Sequence, residues 1–284
     1  MKLGLALSGG GIRGIAHAGV LKALEENDIK IDVIGGTSSG GIIASLYAMG
    51  YSPYKIYSIF KKNANEIVGI NSKPLISGIT SFIGRKKGTF VGFKTGENIE
   101  ESYSNLAKIN GYEKMTDIKM PLVIPAVDIS DSKEYVFTNY IPKEANDNVK
   151  YITNISIGRA VRASSSFPAI FCPCDFETHK FLDGGVLDNV PVQEVKKQGA
   201  NKVIAVNFEG DIIDKTSNVM DIAMRSIDIM GNKIAEKNLN LSDFILTIKT
   251  DKTGLLDTKN IDSCYKYGYD TTIKNIEFIK NLIK

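Results

Sequence analysis

The stretch that most constrains this chain is Gly36-Thr37-Ser38-Ser39-Gly40, which follows the apolar run Ile31-Asp32-Val33-Ile34 and precedes a helix-like segment from Ile42 to Met49. That order predicts a strand, a sharp turn and a helix. A turn this tight brings the chain back across its own strand, and glycine on both sides removes the Cβ atoms that would collide. Ser38 is then lifted to the carboxyl edge of a sheet, with a helix N-terminus behind it that favours developing negative charge. A nucleophilic serine needs such a place. Taken alone, the five residues also fit an ordinary tight turn, and the surrounding segments decide between the two.

An equivalent unit comes first. Leu3 to Leu7 is a continuous apolar run, Gly9-Gly10-Gly11-Ile12-Arg13-Gly14 follows it, and Ile15, Ala18, Leu21 and Leu24 then recur at helical spacing until Asn27 and Asp28. Two strand-loop-helix units in succession imply an α/β fold, a three-layer α/β/α sandwich around a mainly parallel sheet. Further helices are expected from Ser52-Pro53 to Asn63, Glu97 to Gly111, Ser156 to Ser165, from Pro191, and from Ser217 to Asn238, with a closing helix from Asp262 to Ile283. Further strands are expected at Pro121 to Ile129, which turns through Ser130-Asp131-Ser132 into Lys133 to Thr138, and at Phe181-Leu182, Lys202 to Phe208 and Phe244 to Ile248. Between Ile67 and Gly96, six glycines interleave with apolar residues and with Arg85-Lys86-Lys87. This segment is either an excursion packed on the core or a lid that meets lipid.

The 284 residues carry evenly spread apolar runs, so a single domain over 1–284 is expected. A formal net charge of +3, with lysines scattered among acids, argues against nucleic acid as a partner. Three cysteines, with Cys172 and Cys174 one residue apart, do not make a disulfide framework, and two histidines leave little for a metal site. A reducing, cytoplasmic setting follows, with no cofactor and no metal expected. The apolar start at Met1 is too short for an export signal, and no run approaches membrane-spanning length.

The first glycine loop has two readings. Gly9, Gly11 and Gly14 fit a dinucleotide fingerprint, with Asp32 as the ribose-binding acid, which would make the chain a nucleotide-binding module. Alternatively, successive glycine amides at a helix start converge on the oxyanion of a serine acyl-transfer reaction. Ser38 then needs a base. His17 lies one turn into a helix, where a packed or capping role is usual, and His179 sits in the polar Glu177-Thr178-His179-Lys180, which reads as an exposed hairpin turn. No histidine follows residue 179, so a serine triad ending in histidine is not available. Asp183-Gly184-Gly185 offers an acid at the end of an apolar run, with two glycines that let it approach another loop; a capped turn is the plainer reading of those three residues.

In order and rough separation, these three motifs resemble the patatin-like phospholipase family. The resemblance extends to His17-Ala18-Gly19-Val20-Leu21, to Arg162-Ala163-Ser164 through Pro168, and to Asp188-Asn189-Val190-Pro191-Val192, and spans most of residues 3 to 208. It implies a patatin-like acyl hydrolase in which Ser38 is the nucleophile and Asp183 its partner in a Ser-Asp dyad. The amides of Gly10 and Gly11, with Arg13 nearby, would form the oxyanion hole, while Gly9, Gly14, Gly36, Gly40, Gly184 and Gly185 shape the loops. Asp-Gly-Gly stands where many members carry Asp-Gly-Ala. The implied substrates are acyl esters of phospholipids, lysophospholipids or neutral lipids, cleaved through an acyl-serine without a metal, with transient contact to a membrane surface. A catalytically silent lipid-binding protein of the same fold is the alternative within that resemblance. The related acyl-carrier transacylases use a Ser-His pair, for which no histidine here is placed.

Overall fold

The computed structural model describes residues 1–67, 94–145, 148–168, 170–209, 219–251 and 253–284. The glycine-rich stretch 68–93, with Arg85, Lys86 and Lys87, lies outside the described residues. Among the described residues nine strands form one sheet: β1 (Leu3–Leu7), β2 (Val33–Gly36), β3 (Leu122–Asp128), β4 (Lys133–Thr138), β5 (Val149–Ile152), β6 (Cys174–Phe176), β7 (His179–Asp183), β8 (Lys202–Phe208) and β9 (Phe244–Ile248). Their order is β5-β4-β3-β2-β1-β8-β9, with the β6–β7 hairpin attached to β3 through β7. Pairing is parallel from β3 through β2, β1 and β8 to β9 and again between β4 and β5, and antiparallel at β3–β4, β3–β7 and β6–β7.

Helices cover both faces, and strand alternation decides which residue meets which layer. Leu5, Leu7, Ile34, Ile124, Ile204 and Val206 pack toward α1 (Ala16–Glu25), α2 (Ser39–Ala48) and, further along the chain, the helix Ile261–Lys274. The alternate positions Ala6, Val33, Val123, Val203 and Ala205 pack toward the helices Val192–Lys197 and Val219–Leu239. Continuous apolar runs such as Leu3–Leu7, buried along their whole length, are what a strand covered on both sides requires. The expected three-layer α/β/α arrangement with a mainly parallel sheet is the one found. Besides a single helical turn at Ala64–Ile67, the further helices among the described residues are α3 (Pro53–Lys62), α4 (Glu97–Ile109), α5 (Ile157–Ser164), α6 (Val192–Lys197), α7 (Val219–Leu239), α8 (Ile261–Lys274) and α9 (Ile276–Leu282). Ser52 caps α3 by accepting from Lys55 N, and Pro53 opens it at a position where its missing N–H costs nothing.

Several boundaries differ from expectation. The second strand runs over Val33–Gly36, not Ile31 to Ile34, because Gly35 and Gly36, with no strand preference of their own, pair with Ala6 and Leu7 of β1. Asp32 therefore precedes the strand, and its Oδ2 accepts from Leu3 N at 2.9 Å. It stands at the amino edge of the sheet, the end opposite the glycine loop, and cannot serve a ribose there. The dinucleotide reading loses its acid. His179 is not in an exposed turn but opens β7, half-buried, with its Nδ1 2.6 Å from Asp128 Oδ2. The closing helix is two helices broken at Asn275, and β5 and β6 carried too short an apolar pattern to be expected.

Candidate active site

Two strand ends meet along one edge of β3. β2 runs parallel to β3, pairing Ile34 with Leu122 and Gly35 with Val123, and leaves the sheet after Gly36. β7 arrives from the opposite direction, pairing Ala126 of β3 with Asp183. The two strands point at each other across Ile124 and Pro125. Ser38 lies two residues beyond the end of β2, and Asp183 is the last residue of β7.

Ser38 has φ 55° and ψ −123° and stands just before α2. A non-glycine residue in this region is strained, and neighbours must hold it there. Thr37 N donates to Leu7 O at 3.1 Å and its Oγ1 to Asp188 O at 2.8 Å, while Gly40 N donates to Thr37 O at 2.8 Å. Ser38 N donates to Ser164 Oγ at 3.0 Å. A Cβ on Gly40 would lie 2.5 Å from Leu7 O and 2.6 Å from Ser8 O, and Gly36 is pressed against the backbone of Gly40 in turn. Only glycine fits either flank. Gly14 makes the same kind of close approach to Ser39, and Gly184 to Pro125.

The Asp183 carboxylate is buried, and Gly185 N donates to its Oδ1 at 2.8 Å. Its other oxygen, Oδ2, has no regular hydrogen bond among the described residues. The Ser38 hydroxyl is the side chain that approaches the carboxylate. Burial pushes the Asp183 pKa up from 3.8 to about 6, and the Ser38 hydroxyl and Gly185 amide oppose that rise without cancelling it. A carboxylate so placed is a better proton acceptor than a solvated one.

The glycine loop completes the rim. Gly9 N is shared between Asn189 O at 3.2 Å and Asn189 Oδ1 at 3.1 Å, and Ile12 N donates to Leu255 O at 2.9 Å. The N–H groups of Gly10 and Gly11 have no partner among the described residues, and both glycines line the cleft that holds Ser38 and Asp183. Arg13 is deeply buried. Its backbone N donates to Gly10 O at 3.1 Å, its Nε to the same oxygen at 3.3 Å, and its Nη2 to Asp228 Oδ1 at 3.2 Å. The guanidinium also lies 5.5 Å from the centre of the Phe208 ring. It stands behind the loop, fixing the Gly10 carbonyl, and the contacts just named do not aim it at Ser38.

His17 is buried, with Nε2 2.8 Å from Ser8 O, and burial lowers its pKa to about 4. It is neutral, donates to the backbone just before the glycine loop, and does not line the cleft. Burial raises the Cys174 thiol to about 11, and Cys172 is half-buried; neither lines the cleft. The cleft opens to solvent, with apolar walls from Ile42, Ile67, Phe167, Phe171, Leu255 and Leu256 and a further side from Ile227, Asp228 and Gly231 of α7. Sequence reasoning assigned no role to Ser164, Thr37 or Asn189, although Ser164 and Asn189 fell inside the resembling segments. It also missed the part played by α7, because a wall residue carries no motif.

On this α/β fold, a strained serine at a strand-to-helix turn, a buried aspartate and the amides of two glycines surround one apolar cleft. The chain belongs to the patatin-like phospholipase family, whose model matches residues 5–196. Among curated relatives, the lysophospholipase NTE1 of Meyerozyma guilliermondii is 33% identical over 214 residues, covering 75% of this chain and 13% of that protein. NTE1 of Candida albicans is 28% identical over 302 residues, covering 94% of this chain and 19% of its own length. The chain thus spans less than a fifth of these relatives. Among solved structures, VipD from Legionella pneumophila aligns with a TM-score of 0.52 at 15% identity, over 97% of this chain and 66% of that one. The ExoU chain of the ExoU-SpcU complex from Pseudomonas aeruginosa aligns with a TM-score of 0.52 at 17% identity, over 100% and 52%. These two share the fold.

Proposed function

We propose that the site hydrolyses acyl esters of lipids, of the phospholipase A or lysophospholipase kind, through a Ser38-Asp183 dyad. The observation that carries this reading is the approach of the Ser38 hydroxyl to a buried, proton-avid Asp183 at the floor of an apolar cleft. Asp183 takes the hydroxyl proton as Ser38 Oγ attacks the ester carbonyl, and the Gly10 and Gly11 amides receive the developing oxyanion. The C–O bond to the alcohol breaks, Asp183 returns the proton to the departing oxygen, and water then cleaves the acyl-serine to release a fatty acid. Apolar walls suit an acyl chain, and the lysophospholipase relatives point to the same substrate class. None of the described helices is long and apolar enough to cross a membrane, so we place the enzyme's contact with lipid at a surface.

Ser38→Ala and Asp183→Asn are each expected to abolish hydrolysis of a short-chain nitrophenyl ester while the circular dichroism spectrum is kept. An alkyl fluorophosphonate should label Ser38 in the unmodified protein. Absence of labelling in a folded, unmodified chain would mean a silent lipid-binding protein, and activity retained by both variants would remove the dyad.

A further inference from the structure

We propose that Asn189 is a further catalytic residue of this site, donating from Nδ2 to the leaving alcohol oxygen of the ester. The proposal rests on the Ser38-Asp183 reading. Its first support is the orientation of the carboxamide. Gly9 N–H lies 3.1 Å from the carboxamide atom facing it, and an amide donor can be received there only by oxygen, so Oδ1 faces Gly9 and the NH₂ group faces away. That NH₂ group has no partner among the described residues and is not buried, and Asn189 lines the cleft.

The second support is position. A Cβ built on Gly9 would lie 3.3 Å from Ser38 Cβ and 2.6 Å from Asn189 Oδ1, so the carboxamide and the serine crowd the same glycine. A Cβ built on Gly185 would lie 3.1 Å from Asn189 Oδ1 and 3.1 Å from Asp183 Oδ1. The Asn189 carboxamide is therefore set against the two glycines that border the serine and the acid. The backbone O of Asn189 also accepts from Gly9 N, so the glycine loop keeps one anchor to this residue when the side chain is removed.

The chemistry gives this donor a task. When the tetrahedral intermediate collapses, the acyl carbon keeps its bond to Ser38 Oγ, the C–O bond to the alcohol breaks, and its electron pair goes to the alcohol oxygen. The proton held by Asp183 then moves to that oxygen. An alkoxide of a glycerol-type alcohol is far more basic than a nitrophenolate, so negative charge builds on it before the proton arrives. An N–H from Asn189 would stabilise that charge while keeping its own proton.

The test is leaving-group dependence. For Asn189→Ala, kcat/KM is measured on esters that share one acyl chain and differ in the alcohol, from nitrophenol to simple alkyl alcohols; kcat/KM reports acylation even where deacylation limits turnover. The expected result is a loss of about 10- to 100-fold on alkyl esters and under about 3-fold on the nitrophenyl ester, the range one hydrogen bond to a charged atom supports. Fluorophosphonate labelling of Ser38 should stay near the unmodified rate. Asn189→Asp, which keeps an acceptor for Gly9 and lacks the donor, should not restore the alkyl ester, whereas Asn189→Gln should restore part of it. Equal losses on both ester types, or no loss on either, would overturn the proposal and leave the dyad standing. An unmodified chain that cleaves neither ester would overturn both.

Discussion

Ser38 and Asp183, 145 positions apart, meet because β2 and β7 share one edge of β3 and approach each other end to end. The serine turn leaves the end of one strand and the acid closes the other, and Ile124 and Pro125 of β3 span the gap. Neither loop alone carries the proposed chemistry.

The raised pKa of Asp183 sets the pH profile. In the proposed dyad Asp183 must be ionised to take the serine proton, so kcat/KM for a neutral ester should rise with pH and level off above an inflection near 6. An inflection near 4, read from initial rates between pH 3.5 and 9, would mean the carboxylate is solvated.

The same burial has an opposite effect on stability. A carboxyl group with a folded pKa of about 6 and an ordinary value of 3.8 favours the folded state most below pH 3.8, and that contribution is lost as pH rises through 6. At pH 8, Asp183→Asn should therefore be more stable than the unmodified protein, by up to about 3 kcal/mol at 1.36 kcal/mol per pKa unit. Urea unfolding at pH 8 and pH 4 measures the difference, which should shrink toward zero at the lower value.

His17 works in the other direction. Its folded pKa of about 4 lies below the ordinary 6.5, so its contribution is intact above 6.5 and lost as pH falls through 4. His17→Gln, which keeps a donor for Ser8 O, should lower the loss of stability across that window by up to about 3 kcal/mol while kcat stays within about 3-fold. A collapse of kcat at unchanged stability would give His17 a part in the reaction.

Arg13 and Asp228 join the glycine loop to α7. Removing the carboxylate leaves a buried guanidinium with one charged partner fewer, so Asp228→Ala should cost about 3 kcal/mol of stability and loosen the Gly10 carbonyl. The loosened loop should appear as a fall in kcat with little change in KM, measured beside the thermal midpoint.

Much of this was legible from sequence: the two strand-loop-helix units, the serine between glycines, the acid before two glycines, and the three layers. These are local patterns, and periodicity or turn chemistry reveals them. The features that were not legible depend on pairing. Gly35 and Gly36 enter β2 only because β1 lies beside them, Arg13 finds Asp228 215 positions away, and Asn189 reaches Gly9 across 180. Ser164, whose Oγ accepts from the Ser38 amide, carries no sign in the sequence of which residue it will meet.

The end-to-end approach of β2 and β7 also orders events as the chain folds. The serine turn makes one bond to Leu7, near in sequence, and others to Ser164 and Asp188, far from it. The acid comes into range only once the hairpin that carries it has docked on β3. The proposed reactivity thus depends on both strands being seated on β3, and a chain whose hairpin has not docked holds the hydroxyl without the means to activate it.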